Sequence, residues 1–220
     1  MIIRLPEKFA YNQKNAYAYV INGILYIEGN VNFEKIMYEI TYTLKGKEKC
    51  LYCKNPITSK TRTIDHMNPR TYGGPSIPNN LLPCCKKCNS DKSNMTADQF
   101  RQWLKLETQS EKDEFSDKCI RKNFNTFRKK RYLIPKKWVT RYNISKIGKF
   151  IWFDPNVGKA KYKKISEYYE KWHRYPAPII LSKNDWVLEG KCILQHAKRN
   201  GIKYVDALIL ENVIVKKNSK

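Results

Sequence analysis

Two Cys-x-x-Cys pairs, Cys50/Cys53 and Cys85/Cys88, stand thirty-one residues apart. No other feature of the chain limits its fold as tightly. Thiolates separated by two residues can reach one ion from a single turn, and two such turns complete a closed tetrahedral Zn²⁺ site that folds the loop between them. Cys84 abuts Cys85, but only Cys85 leaves two residues before Cys88, so Cys84 reads as a buried apolar residue. Cys119 and Cys192 have no partner at ligand spacing and read as buried free thiols. A closed thiolate site asks for nothing more. Asp65, His66, Asn80 and Asn89 are therefore left over: hard oxygen ligands beside an imidazole, a set that suits Mg²⁺ or a similar ion next to a proton acceptor.

These residues occur in an order that carries a resemblance. The run Cys50, Cys53, Ile64-Asp65-His66-Met67, Gly73-Gly74, Asn80-Leu81, Cys85, Cys88, Asn89 and Lys92 is similar to the HNH endonuclease family in its zinc-ribbon-framed version. The resemblance implies a ββα-metal core, with a strand over 61–67, a turn at Tyr72-Gly73-Gly74-Pro75 and a helix starting at Asn89. It also implies the roles. His66 would be the general base, suited by a pKa near working pH. Asn80 would hold the His66 ring. Asp65 and Asn89 would hold a catalytic Mg²⁺ or Mn²⁺, one anionic and one neutral ligand leaving the ion positive charge for the transition state. Arg70 and Lys92 are candidate phosphate contacts. The structural Zn²⁺ would rest on Cys50, Cys53, Cys85 and Cys88. The bare alternative is a zinc ribbon that binds DNA without cutting it.

A net charge of +23 over 220 residues suits a polyanionic partner, and nucleic acid is the default. The sequence has no long apolar span and no basic amphipathic anchor, so no membrane partner is expected. The N-terminus lacks a signal peptide's apolar run, which predicts a reducing cytoplasm, where seven cysteines favour metal ligation over disulfides. An aromatic content of 13% argues for a folded chain.

Along the chain, 16–21 and 24–27 read as strands joined by Asn22-Gly23, a type I′ hairpin signal. Asn32 is a plausible N-cap for a helix over 33–44. This N-terminal piece, 1–45, is expected to support the nuclease domain at 46–117. A helical stretch runs over 96–120. A basic connector, 118–149, carries ten positive charges between 118 and 141, interleaved with Phe124, Phe127, Tyr132 and Trp138. Cations with aromatic faces between them suit DNA tracking, and Lys129, Lys130, Arg131, Lys136 and Lys137 are the candidate contacts. The bland reading is a solvated helix face with its aromatics in the core. Pro135 breaks the segment, and a domain boundary is expected between about 133 and 150.

The remainder, 150–220, changes texture. A helix over 163–172, strands at 178–181 and 186–188, a helix over 191–200 capped by Gly201 and a strand at 204–210 follow in order. With Asp154-Pro155, Ile165-Ser166, Leu188-Glu189-Gly190 and Ala197-Lys198, this order is similar to the ParB/sulfiredoxin-like fold. After Gly190 come Lys191 and Cys192, without the arginines of nucleotide-binding members and with the cysteine displaced by one from sulfiredoxins, so the module reads as a scaffold for DNA or a partner. The expected architecture is α+β: a ββα-metal nuclease core framed by a four-cysteine zinc site, an N-terminal hairpin and helix, and a C-terminal α/β ParB-like module. The expected function is metal-dependent hydrolysis of DNA phosphodiester bonds, with a phage, mobile-element or restriction setting suggested by the family and a Lys/Asn/Ile-rich composition. One such site cuts one strand, so a double-strand break calls for a homodimer or two binding events. A nucleotide-regulated ParB-type DNA-binding protein is the other alternative.

Overall fold

A computed structural model describes residues 1–13, 16–147, 149–150 and 155–216. In chain order the elements are β1 (Ala10–Gln13), β2 (Ala16–Ile21), β3 (Ile24–Gly29), α1 (Phe33–Lys45), β4 (Arg62–His66), β5 (Leu81–Cys85), α2 (Lys86–Lys92), α3 (Ala97–Trp103) and α4 (Gln109–Lys130). They continue with β6 (Thr140–Asn143), β7 (Lys149–Phe150), α5 (Pro155–Trp172), β8 (Ile179–Ser182), β9 (Trp186–Glu189), α6 (Lys191–Arg199), β10 (Tyr204–Leu210) and β11 (Val213–Lys216). The α+β class is as expected. The chain divides into two compact units, Met1–Ile40 together with Pro135–Lys220, and Thr41–Ile134.

The first unit is discontinuous in sequence. Its hairpin forms as the turn residues dictate: Asn22 and Gly23 both adopt positive φ, and Ile21 pairs with Ile24. Asn32 caps α1, its Oδ1 accepting from the Lys35 backbone N–H at 3.2 Å. The sheet partner of the hairpin is the far end of the chain. β3 pairs in parallel with β11, Leu25 opposite Val213 and Ile27 opposite Val215. All four of these side chains are buried, which gives the hydrophobic reason for the pairing. The result is a sheet ordered β1-β2-β3-β11 beside a second ordered β6-β10-β8-β9-β7. The two compact units meet along the chain after Ile40, inside α1, and before Pro135.

Within the second sheet, β8 and β10 run parallel, and α6 starts at Gly190 with φ +97. A Cβ at Gly190 would stand 2.6 Å from Ile179 Cγ2, so this glycine lets α6 press against β8. Gly201 follows the end of α6 with φ +64 as a C-terminal cap should. The helix expected at 163–172 begins earlier, at Pro155. Asp154, part of the ParB-like resemblance, lies outside the described residues. Among the described residues no helix is long and apolar enough to cross a membrane.

The second unit holds the cysteine pairs. β4 and β5 form a two-stranded ribbon with Asp65 opposite Leu82 and His66 opposite Leu81. The helix expected from Asn89 starts three residues earlier, at Lys86, because Cys85 is its N-cap. The stretch expected to be helical over 96–120 is two helices. α3 is opened by a Thr96/Gln99 capping box and α4 by a Thr108/Glu111 capping box. The second box, a start signal inside a helical stretch, explains the break. A core of Tyr52, Leu82, Cys84, Met95, Phe100 and Cys119 packs between the ribbon and these helices. Cys84 and Cys119 are thus buried apolar residues as read from spacing, whereas Cys192 is only half-buried.

Candidate metal centre and active site

The cysteine site is assembled from two turns. In the first, the Cys50 carbonyl accepts from Lys54 N–H at 2.9 Å and the Cys50 N–H donates to Asn55 O at 2.9 Å. In the second, Cys85 caps α2, its Sγ accepting from Cys88 N–H at 3.3 Å. The Sγ atoms of Cys50, Cys53, Cys85 and Cys88 all lie within 4.8 Å of one another, the only such group of His, Cys, Asp and Glu ligands among the described residues. Four sulfurs 2.3 Å from one Zn²⁺ would stand about 3.8 Å apart, and Cys53 and Cys85 are 4.0 Å apart. The residues therefore fit a zinc ion. Burial pushes the Cys50 thiol up, but the backbone N–H groups of Cys85, Cys53 and Tyr52 outweigh it and bring it down to about 7. Burial pushes Cys53 and Cys88 up; the backbone N–H of Asn55 and the Cys88 thiol pull against it at Cys53, whereas the neighbouring thiols add to it at Cys88. Several thiolates in one place need a cation to offset them.

β4 delivers Asp65 and His66 to opposite faces of the ribbon, as strand alternation requires. Asp65 is 5% exposed and lies on the core face. Its Oδ2 accepts from the Tyr52 hydroxyl at 2.5 Å, and its Oδ1 pairs with Lys92 Nζ at 3.0 Å. Burial pushes its carboxyl above the usual range, and Lys92 and Tyr52 pull against that. The Tyr52 hydroxyl is pushed up by burial and by the Asp65 charge, so it stays a donor.

His66 is 8% exposed, and its Nε2 stands 3.0 Å from Ser76 Oγ. Ser76, not Asn80, holds the ring. The Asn80 amide is committed to the loop: its Nδ2 donates to Asn68 O at 3.1 Å and to Pro75 O at 3.0 Å, and its Oδ1 accepts from Asn68 N–H at 2.9 Å. It reaches the ring only by fixing the loop that carries Ser76. The Gly-Gly pair has a steric cause. Gly73 has φ +83, and a Cβ there would stand 2.6 Å from the Tyr132 ring. A Cβ on Gly74 would stand 1.8 Å from Asn68 O.

Asn89 is half-buried in α2 and makes no side-chain hydrogen bond among the described residues. Lys92 is not the phosphate contact expected. It is 1% exposed, and its Nζ also donates to His66 O at 3.1 Å. The reason is position: Lys92 follows Cys88 by one helical turn, on the buried face of α2. Arg70 is exposed on a short 3₁₀ turn, Arg70–Tyr72, four residues past His66.

The basic segment resolves into two parts. Lys129, Lys130 and Arg131 are exposed at the end of α4, and Lys136 and Lys137 are exposed beyond Pro135, in the other unit. α4 is polarised: Glu111, Asp113, Glu114 and Asp117 lie in its first half, with Lys112 and Lys118, whereas its second half carries Arg121, Lys122, Arg128, Lys129 and Lys130 and no acidic residue. This order also suits the helix dipole. Of the interleaved aromatics only Phe124, at 43%, is well exposed. Phe127 packs on Tyr72 with ring centroids 5.7 Å apart, Tyr132 covers Gly73, and Leu133 N–H donates to Tyr72 O at 3.0 Å. The aromatics thus fasten the basic end of α4 to the turn just after His66.

This geometry carries a family likeness over part of the chain. Residues 50–105 match the family model of HNH endonucleases. The HNH match begins at Cys50, the first of the four clustered cysteines, and ends just past α3, so it takes in both cysteine pairs, Asp65, His66, Asn80, Asn89 and Lys92. No curated protein matches the chain. Sequence reasoning missed Tyr52 and Ser76. The only signal was position, Tyr52 between two of the clustered cysteines and Ser76 after the Gly-Gly-Pro turn, and neither residue type marks a role there.

Proposed function

We propose that the chain is a metal-dependent DNA endonuclease whose active site is the β4–loop–β5–α2 segment. The observation that carries this reading is His66, held by Ser76 at the end of a strand that zinc-ligand turns fasten to α2, within the HNH-matching residues. His66 takes the proton of the attacking water, a step for which a positioned imidazole is suited. Asn80 shapes the loop that orients it. Asp65 and Asn89 offer a carboxylate and an amide oxygen, a hard donor pair that fits Mg²⁺ or Mn²⁺. Such an ion would supply Lewis-acid stabilisation of charge on the scissile phosphate. Arg70 and the exposed Lys129, Lys130 and Arg131 hold the DNA backbone from the side of the loop, with Lys136 and Lys137 as further contacts. The partner class is DNA, and a double-strand break would use two copies.

One observation favours a rival, a zinc-ribbon protein that binds DNA without cutting it: both Asp65 oxygens already have protein partners. Supercoiled plasmid incubated with zinc-loaded protein separates the two. The endonuclease nicks it when Mg²⁺ or Mn²⁺ is added, and the rival retards it in a gel without nicking.

The ParB-like reading of 150–220 rests on the order of β8, β9, α6 and β10. The Gly190 conformation is accounted for by packing on Ile179, and no arginine pair follows it. The module is proposed as a scaffold that binds DNA or a partner, in a protein placed in the cytoplasm. Calorimetric titration with CTP tests the nucleotide-regulated alternative, which needs saturable binding.

A further inference from the structure

Lys92 is a charged side chain with no place in the reading above. A lysine that serves a phosphate keeps its ammonium in water, yet this one is 1% exposed. Burial of an ammonium is tolerated only where a counter-charge and hydrogen bonds replace its water. Lys92 has both: Asp65 Oδ1 at 3.0 Å and His66 O at 3.1 Å. The third contact in the group is the Tyr52 hydroxyl on Asp65 Oδ2. The ammonium therefore occupies the carboxylate oxygen that a catalytic cation would use. A dication on Asp65 would meet a like charge a few ångströms away, in surroundings where charges interact several times more strongly than in water.

We infer that Lys92 is the resident counter-ion of Asp65 and competes with the catalytic cation for it. This rests on the proposal that Asp65 is a cation ligand. Without the cation, the pair keeps a buried carboxylate neutralised and the end of β4 tied to α2. When the cation binds, the ammonium gives up Asp65 Oδ1. Lys92 is thus a positioning residue that sets cation affinity, and it touches neither substrate nor reacting atoms.

The test is Mn²⁺ titration of zinc-loaded protein, followed by calorimetry, on wild type, Lys92→Met and Asp65→Asn. Competition predicts that Lys92→Met binds Mn²⁺ roughly tenfold or more tightly, a small part of the repulsion removed, and that Asp65→Asn binds more weakly than wild type. Equal or weaker binding by folded, zinc-loaded Lys92→Met overturns the inference while leaving Asp65 as a ligand. Asp65→Asn binding as wild type does would overturn the cation-ligand reading itself, and the inference with it. Lys92→Met leaves a buried carboxylate unpaired and can fail to fold, so wild type supplies an independent measurement. Reductive methylation, read by mass spectrometry, should spare Lys92 in metal-free, zinc-loaded protein and modify it at saturating Mg²⁺. Unchanged protection at saturating Mg²⁺ overturns the inference.

Discussion

Gly74 shows how little room single residues have around His66. Its missing Cβ lets the backbone pass Asn68 O and the Asn80 amide, and those contacts set the loop that bears Ser76. Gly74→Ala should cost about 3 kcal/mol or relax the loop. Denaturant unfolding would show the loss, and zinc content should be unchanged. The candidate residues were legible as candidates in the sequence because metal ligation and catalysis call for particular side chains at particular spacings. Their hydrogen-bond partners were not. Ser76 and Tyr52 are common residues whose contacts come from where the Gly-Gly-Pro turn and the Cys50–Cys53 turn put them. Lys92 was misread for the same reason: lysine is nearly always solvated, and only the packing of α2 shows that this one is not.

At the scale of elements, the four clustered cysteines tie the turn at 50–53 to the start of the seven-residue α2, beside the apolar core that the ribbon, α3 and α4 share. A zinc site of this kind can contribute on the order of 10 kcal/mol of folding free energy. Chelation, or Cys50→Ser, should therefore unfold the Thr41–Ile134 unit, seen as lost tertiary signal together with lost zinc. Acid should do the same. Zinc needs thiolates, so protons compete for Cys50, Cys53, Cys85 and Cys88 as pH falls, and stability held by the metal is lost in that direction. α4 carries a different expectation. Changing Lys129, Lys130 and Arg131 to Gln should flatten the slope of log K against log salt by about two to three on duplex DNA, measured by fluorescence anisotropy, with zinc retained. An unaltered slope would make the end of α4 a solvated face. Helices and strands with clear caps and turns were legible, as Asn22-Gly23, Asn32 and Gly201 show. The extent of α2 was not, because a thiolate ligand serving as N-cap is outside the usual cap residues.

At the scale of the molecule, the chain closes on itself: β11 completes the sheet that β1, β2 and β3 begin. Non-local pairing of this kind leaves no local trace. The apolar alternation of Val213 and Val215 says that a strand forms, not that its neighbour is Leu25 to Ile27 near the other end of the chain. Deleting residues from Glu211 onward should bare the edge of β3 and unfold the Met1–Ile40/Pro135–Lys220 unit, visible as loss of one transition in calorimetry, while zinc stays bound to the other. A net charge of +23 suits a nucleic-acid partner and does not distinguish cutting from binding. His66 does. The most direct measurement is plasmid nicking by zinc-loaded wild type and zinc-loaded His66→Ala, each with added Mg²⁺ or Mn²⁺ and with DNA affinity measured in parallel. The account predicts that wild type nicks, and that His66→Ala binds DNA equally well but cuts it about 10²–10⁴-fold more slowly, the range for losing a general base. Nicking by His66→Ala at the wild-type rate, or none by wild type with either ion, would contradict it.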